Sequence, residues 1–146
     1  NVSHRLWGAD APVHFPDDGS RPDAPQYFPP VGGFRFGLFT IPPDGGAGAP
    51  EGLDIGEALA ELEEVLPGLA GHMEPDNPGM HTTATIDFEV VLSGSCTLEL
   101  DDGATVDVHP GDTVVQNGTR HRWSNKGTEP CVLAVVLIGA YHDNVG

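Results

Sequence analysis

Three residues have the types and spacing to build a small catalytic or metal site: His81, Asp87 and His121. Two of them lie in HTTATIDFEVVLSG (81–94), an alternating apolar–polar run that opens on a histidine and carries an acid in its middle. The third lies in GDTVVQNGTRHRWSN (111–125), which reads as a strand, an Asn117-Gly118 turn and a second strand. An antiparallel barrel can bring such sequence-distant side chains to one interior point. Two imidazoles and a carboxylate there suit Fe(II), and Zn or Mn tolerate the same set. Without a metal, the same groups suit general acid–base work. Asp87 has two readings. Facing inward, it must be paired, metal-bound or shifted up in pKa; facing outward, it is surface charge.

The elements that would position these residues are mostly strands. In 81–94, Ile86, Phe88, Val90 and Leu92 share one face, and Asp87, Glu89 and Val91 share the other. Asp101-Asp102-Gly103 signals a hairpin, and CVLAVVLIG (131–139) is apolar on both faces and reads as a central strand. FRFGLFTI (34–41) is the first firm strand. About eight strands are expected after residue 33, at the close spacing of a sandwich or barrel. One helix interrupts them, over about 54–66. Asp54 and Glu57 fit a capping box; Ile55, Leu59, Leu62 and Leu66 form its apolar face; Glu61, Glu63 and Glu64 are its wet face; and Pro67-Gly68 ends it. Residues 1–33, rich in Pro, Asp and Gly, read as an extended arm, and 34–146 as the barrel.

Composition narrows the function. The 146 residues make one domain. With 22 acidic residues against 6 basic ones, the field repels nucleic acid and anionic membrane, so neither is an expected partner. A cationic or neutral organic substrate is easier to reconcile. Cys96 and Cys131 each read as a small buried core residue, and a reduced, cytoplasmic setting is the default. No stretch reaches the length of a membrane span, and NVSHRLWGADAPVHF lacks the features of a signal peptide. No Gly-rich phosphate loop, nucleophile elbow or zinc-finger Cys pair is present.

The two segments resemble the motifs of the cupin superfamily, in its small, stand-alone, single-domain form. The first family pattern is G-x5-H-x-H-x(3,4)-E-x6-G. Anchored on Gly94, it sets Asp87 at the Glu position, Thr83 at the second His and His81 at the first. The second pattern, G-x5-P-x-G-x2-H-x3-N, is met by Gly111, Gly118, His121 and Asn125, with Gln116 in place of the proline and one residue missing from the first interval. The match covers 79–139, and more weakly 34–41. It implies an all-β, double-stranded β-helix (jelly-roll) fold and the convergence of His81, Asp87 and His121 on a divalent metal such as Fe, Mn, Zn or Ni. The departures are plain: cupin metal sites use three histidines and a Glu, whereas here there are two histidines and an Asp.

The resulting expectation is a small-molecule enzyme with its site inside the barrel. In the first version a metal on His81, Asp87 and His121 acts as Lewis acid for lyase-type (dehydratase, decarboxylase, isomerase) or oxygenase chemistry, resembling tailoring enzymes of secondary metabolism. In the second, His121 and Asp87 are general base and acid with no metal. A third reading is a non-catalytic ligand-binding module. Thr83, Gln116 and Trp123 are candidates for orienting a ligand. Arg120 and Arg122 read as salt-bridge partners of nearby acids, and His72 and Met73 as loop residues. A homodimer is expected from the family and the long arm.

Overall fold

The computed structural model of the protein describes residues 3–44, 57, 60, 64 and 66–145. Its strands are β1 (His4–Ala9), β2 (Phe34–Ile41), β3 (Thr85–Ser93), β4 (Cys96–Leu100), β5 (Thr105–Val108), β6 (Thr113–Asn117), β7 (His121–Ser124) and β8 (Cys131–Gly139). A five-stranded sheet has the order β1-β2-β8-β3-β6, and a three-stranded sheet the order β5-β4-β7. Every pairing is antiparallel. This is the expected all-β jelly roll, with CVLAVVLIG as the central strand β8. Among the described residues seven strands follow residue 33; the eighth, β1, comes from the arm and pairs with β2 of its own chain. Most of the helix expected over 54–66 lies outside the described residues; Glu57, Ala60 and Glu64 are helical and exposed, and Leu66 is buried. Among the described residues no helix is long and apolar enough to cross a membrane.

Strand β3 sets the character of the interior. Thr85, Asp87, Glu89 and Val91 are buried on its inward face, while Phe88 and Leu92 on the other are 43% and 51% exposed. This reverses the usual apolar-in, polar-out alternation of a half-buried strand. The antiparallel register sets Leu133, Val135 and Leu137 of β8 opposite Val91, Glu89 and Asp87. The barrel therefore has two halves. Ile41, Val91, Cys96, Val108, Cys131 and Leu133 form an apolar core, and the buried polar side chains of β3 lie beyond it. Cys96 and Cys131 are both buried, with their Sγ atoms 3.0 Å apart across the two sheets.

The β3–β4 turn depends on Gly94. Its φ is +71°, and a Cβ there would stand 2.1 Å from the Pro130 carbonyl oxygen. An alanine meets both a left-handed backbone and a backbone wall that cannot swing aside. Gly94→Ala should lower unfolding stability by about 2–4 kcal/mol, read as an earlier urea midpoint with an unchanged m-value.

Candidate active site

His81 and His121 face each other because their backbones pair. Each donates its N–H to the other's carbonyl, at 3.0 and 2.9 Å, which makes them a directly opposed antiparallel couple. Their ring centroids are 4.3 Å apart. Nδ1 of His81 lies 2.9 Å from the Gly79 carbonyl, and Nδ1 of His121 lies 2.8 Å from that of Thr119. A carbonyl only accepts, so each Nδ1 carries the proton and each Nε2 is left as a basic acceptor. Burial holds both rings neutral. It lowers the pKa of His81, and with the neighbouring His81 it lowers His121 to about 4.

Two carboxyls share the cavity with the imidazoles. Asp87 accepts a 2.6 Å hydrogen bond from the Thr85 hydroxyl, which is itself 2.9 Å from the Thr83 hydroxyl. Glu89 is 7% exposed and has no hydrogen-bond partner among the described residues. Its strand neighbours are Val114 on one side and Val135 on the other. Burial in that apolar slot, reinforced by the Asp87 charge, raises Glu89 to about 8; burial raises Asp87 to about 6 against the Thr85 hydrogen bond. At neutral pH the pair holds a proton.

The cavity holds about 60 Å³ and is walled by Tyr27, Phe28, Phe39 and Trp123, with Met73 and the four titratable groups at its lining. Among the described residues no arginine or lysine lines it. Arg120 is drawn off to Glu74, at 2.5 and 2.7 Å, and Arg122 to Glu99 at 2.8 Å. Both are therefore salt-bridge residues, as expected, and they tie down the segment before β3.

Residues 70–137 match the family described as "Cupin domain". The matched segment, just under half of the chain, is similar to the cupin domain. "Phomopsin biosynthesis cluster protein C'" of Diaporthe leptostromiformis is 36% identical over 78 residues, 53% of this chain and 38% of that protein. "Cupin-domain-containing oxidoreductase fogC" of Aspergillus ruber is 32% identical over 84 residues, 56% of this chain and 38% of that protein. The matched part thus spans 38% of each of these curated relatives. Among solved structures, a Cupin 2 conserved barrel domain protein from Salinispora arenicola has a TM-score of 0.47 and 19% identity, covering 94% of this chain and 75% of that one.

Within the barrel, His81, Asp87, His121 and Trp123 line one cavity. Thr83 and Gln116 do not line it; they are buried behind Asp87. Thr83 reaches Asp87 through Thr85, and Gln116 stands directly opposite Asp87, its Oε1 accepting from Thr119 and its Nε2 unpartnered. Asn125, the last residue of the second motif, is structural: it is fully buried and its Nδ2 donates to the Ile41 and Glu129 carbonyls. Glu89 and Tyr27 line the cavity as well, beyond the residues that the motifs mark. Glu89 shares the parity of Asp87, so the inward turn of Asp87 brings it in as well; nothing in the sequence flags Tyr27.

For a divalent metal the donor set fits only in part. The imidazoles fit, since each carries its proton on Nδ1 and leaves Nε2 free. The carboxyl does not join them: among the described residues no three His, Cys, Asp or Glu side chains come together as a metal ion needs. The three-ligand set of His81, Asp87 and His121 therefore does not fit a metal in this arrangement.

The acid pair makes stability depend on pH. Glu89 and Asp87 bind protons more tightly folded than unfolded, so their contribution is full below their ordinary carboxyl range and is lost as pH rises through about 6 and about 8. The lowered histidines act in the opposite sense below about pH 6.5, so thermal scans from pH 7 to 9 should show the wild type losing Tm with rising pH and Glu89→Gln losing clearly less.

Proposed function

We propose that this cupin is a small-molecule enzyme working by general acid–base catalysis, of dehydratase or isomerase type. The observation that carries the reading is one cavity shared by neutral imidazoles and a proton-holding carboxyl pair. Acid and base thus stand side by side: the carboxyl pair keeps a proton it would lose in water while the imidazoles stay neutral, an arrangement that supplies both at neutral pH. His121 Nε2 takes a proton from a substrate carbon. The Asp87–Glu89 pair gives its proton to the departing or carbonyl oxygen, and His81 holds the facing side of the imidazole couple. Thr83 and Thr85 orient Asp87, the Gln116 amide stands beside it, and Trp123 gives a flat ring a wall. The proton gained by His121 and the one lost by the acid pair balance, and solvent resets both.

The cavity also indicates a substrate class. With two carboxyls and no cation in its lining, it disfavours a carboxylate or phosphate and accepts an uncharged or cationic end. The aromatic walls suit a hydroxylated ring or polyketide-like fragment. Relatives named for fungal biosynthesis clusters support a tailoring role in secondary metabolism.

The test begins with thermal shifts against matched phenols and benzoates, where the phenols should stabilise and the benzoates should not. For a turned-over ligand, kcat/KM should fall below about pH 4, as His121 is protonated, and above about pH 8, as Glu89 loses its proton. Glu89→Gln and His121→Ala should each cut kcat by about 10²- to 10⁴-fold, and activity should survive dialysis against chelator. Turnover restored only by a stoichiometric divalent metal would sink this reading in favour of the metal cupin. Binding with no turnover across the panel would favour a binding module.

A further inference from the structure

We infer that Cys96 and Cys131 close into a disulfide that staples the two sheets together at the apolar end of the barrel.

The chain has two cysteines, and the fold brings both to one point. They stand 35 positions apart in sequence, yet their Sγ atoms are 3.0 Å apart. An S–S bond is about 2.05 Å long, so closure asks the sulfurs to approach by roughly 1 Å. The backbone is arranged for this meeting. Cys96 opens β4 and Cys131 opens β8, each just after a bend in the chain. Gly94, in the first bend, lies so close to the second that a Cβ on it would stand 2.9 Å from Cys131 Cα. The missing side chain at 94 is what lets the two strand starts come together.

The place of the pair gives the bond a task. Cys96 belongs to the three-stranded sheet and Cys131 to the five-stranded one. Among the described strands none of one sheet pairs with a strand of the other. At the polar end the His81–His121 bridge links the lead into β3 with β7. At the apolar end the sheets are held by packing among Ile41, Val91, Val108 and Leu133. A disulfide there ties the sheets covalently, and it restricts the unfolded chain by closing a long loop.

Closure consumes a small disulfide. One cysteine thiolate attacks it, forming a mixed disulfide and releasing one small thiol. The other cysteine sulfur then displaces the second small thiol. Both cysteines are oxidised, the small disulfide is reduced to two thiols, and those thiols carry away the two protons. Cys96 is 3% exposed and Cys131 is fully buried, so the finished core has no room for the mixed disulfide. The bond is therefore made as the core closes, and burial afterwards shields it from reductant. Chain that folds where a disulfide oxidant is at hand acquires the staple; chain that folds in a reducing medium keeps two thiols. The bond does not depend on the chemistry of the cavity.

The test is refolding from denaturant, with oxidised glutathione in one sample and a reducing agent in the other. After alkylation in denaturant, the oxidised sample should carry no label, weigh two hydrogen atoms less than the reduced chain, and show 96 linked to 131 in a peptide map. The reduced sample should carry a label on each cysteine. The oxidised form should melt about 5–10 °C above the reduced one. Cys96→Ala combined with Cys131→Ala should melt at one temperature in both media. Should those substitutions prevent folding, the two forms of the wild type carry the comparison alone. Free thiols after oxidative refolding, glutathione left on either sulfur, a chain that folds only when reduced, or a linked form that melts no higher than the dithiol overturns the inference.

Discussion

The phase of strand β3 is the constraint on which the rest of this molecule depends. A strand has only two ways to face, and a slip of one residue exchanges them. Hydrophobicity alone would send Ile86, Phe88, Val90 and Leu92 inward and leave Asp87 and Glu89 in water. The protein takes the other phase, and β8 on one side and β6 on the other hold it there through a continuous register. Burying ionised carboxylates would cost far more than the fold could bear; burying them with a proton costs much less. The upward shift of both acids is therefore the condition under which this phase is tolerable, as well as its chemical consequence.

The imidazole pair has a different origin. His81 and His121 meet because two short backbone segments exchange hydrogen bonds at the polar end of the barrel, and the rings have nowhere else to go. Each ring's proton is fixed by a carbonyl two residues before it. Backbone thus decides the tautomer, and burial decides the charge. The Arg120–Glu74 ion pair, and the hydrogen bonds of Arg122 to Asn77 Oδ1 and the Pro78 carbonyl, hold the flanking segment in place, while Arg122 also pairs with Glu99 across β7 and β4. They also keep guanidinium groups, which would draw a proton off the acids, outside the cavity.

Much of this was legible in the sequence. The family resemblance carried by Gly94, the Asn117-Gly118 turn and His121 implied the jelly roll and the meeting of His81, Asp87 and His121, which line one cavity together with Trp123. The direction of β3 was not legible, because alternation gives two faces and does not say which is wet; that is settled by β8 and β6, distant in sequence. Glu89 followed Asp87 inside for the same reason. Tyr27 reaches the cavity from the arm, where no periodicity reports a partner. Thr83 carried the mark of a lost ligand, but its actual work, a hydroxyl relay through Thr85 to Asp87, depends on a side-chain contact that spacing cannot give.

The two halves of the barrel divide stability from chemistry along the strand axis. β3 runs from buried Thr85 through Asp87 and Glu89 to Val91, and β8 answers with Leu137, Val135 and Leu133. The end at Val91, Leu133, Cys131 and Ile41 packs as an ordinary apolar core and carries no titratable carboxyl. The other end keeps polar groups out of water, which opposes folding, so the apolar end must offset it. Aliphatic neighbours at Glu89 do more than fill space: Val114 and Val135 exclude the water that would let the acid ionise. Replacing either by a polar residue would ease the burial of Glu89 and return its pKa towards that of a free carboxyl. The strength of the acid is thus set by two valines with no chemistry of their own.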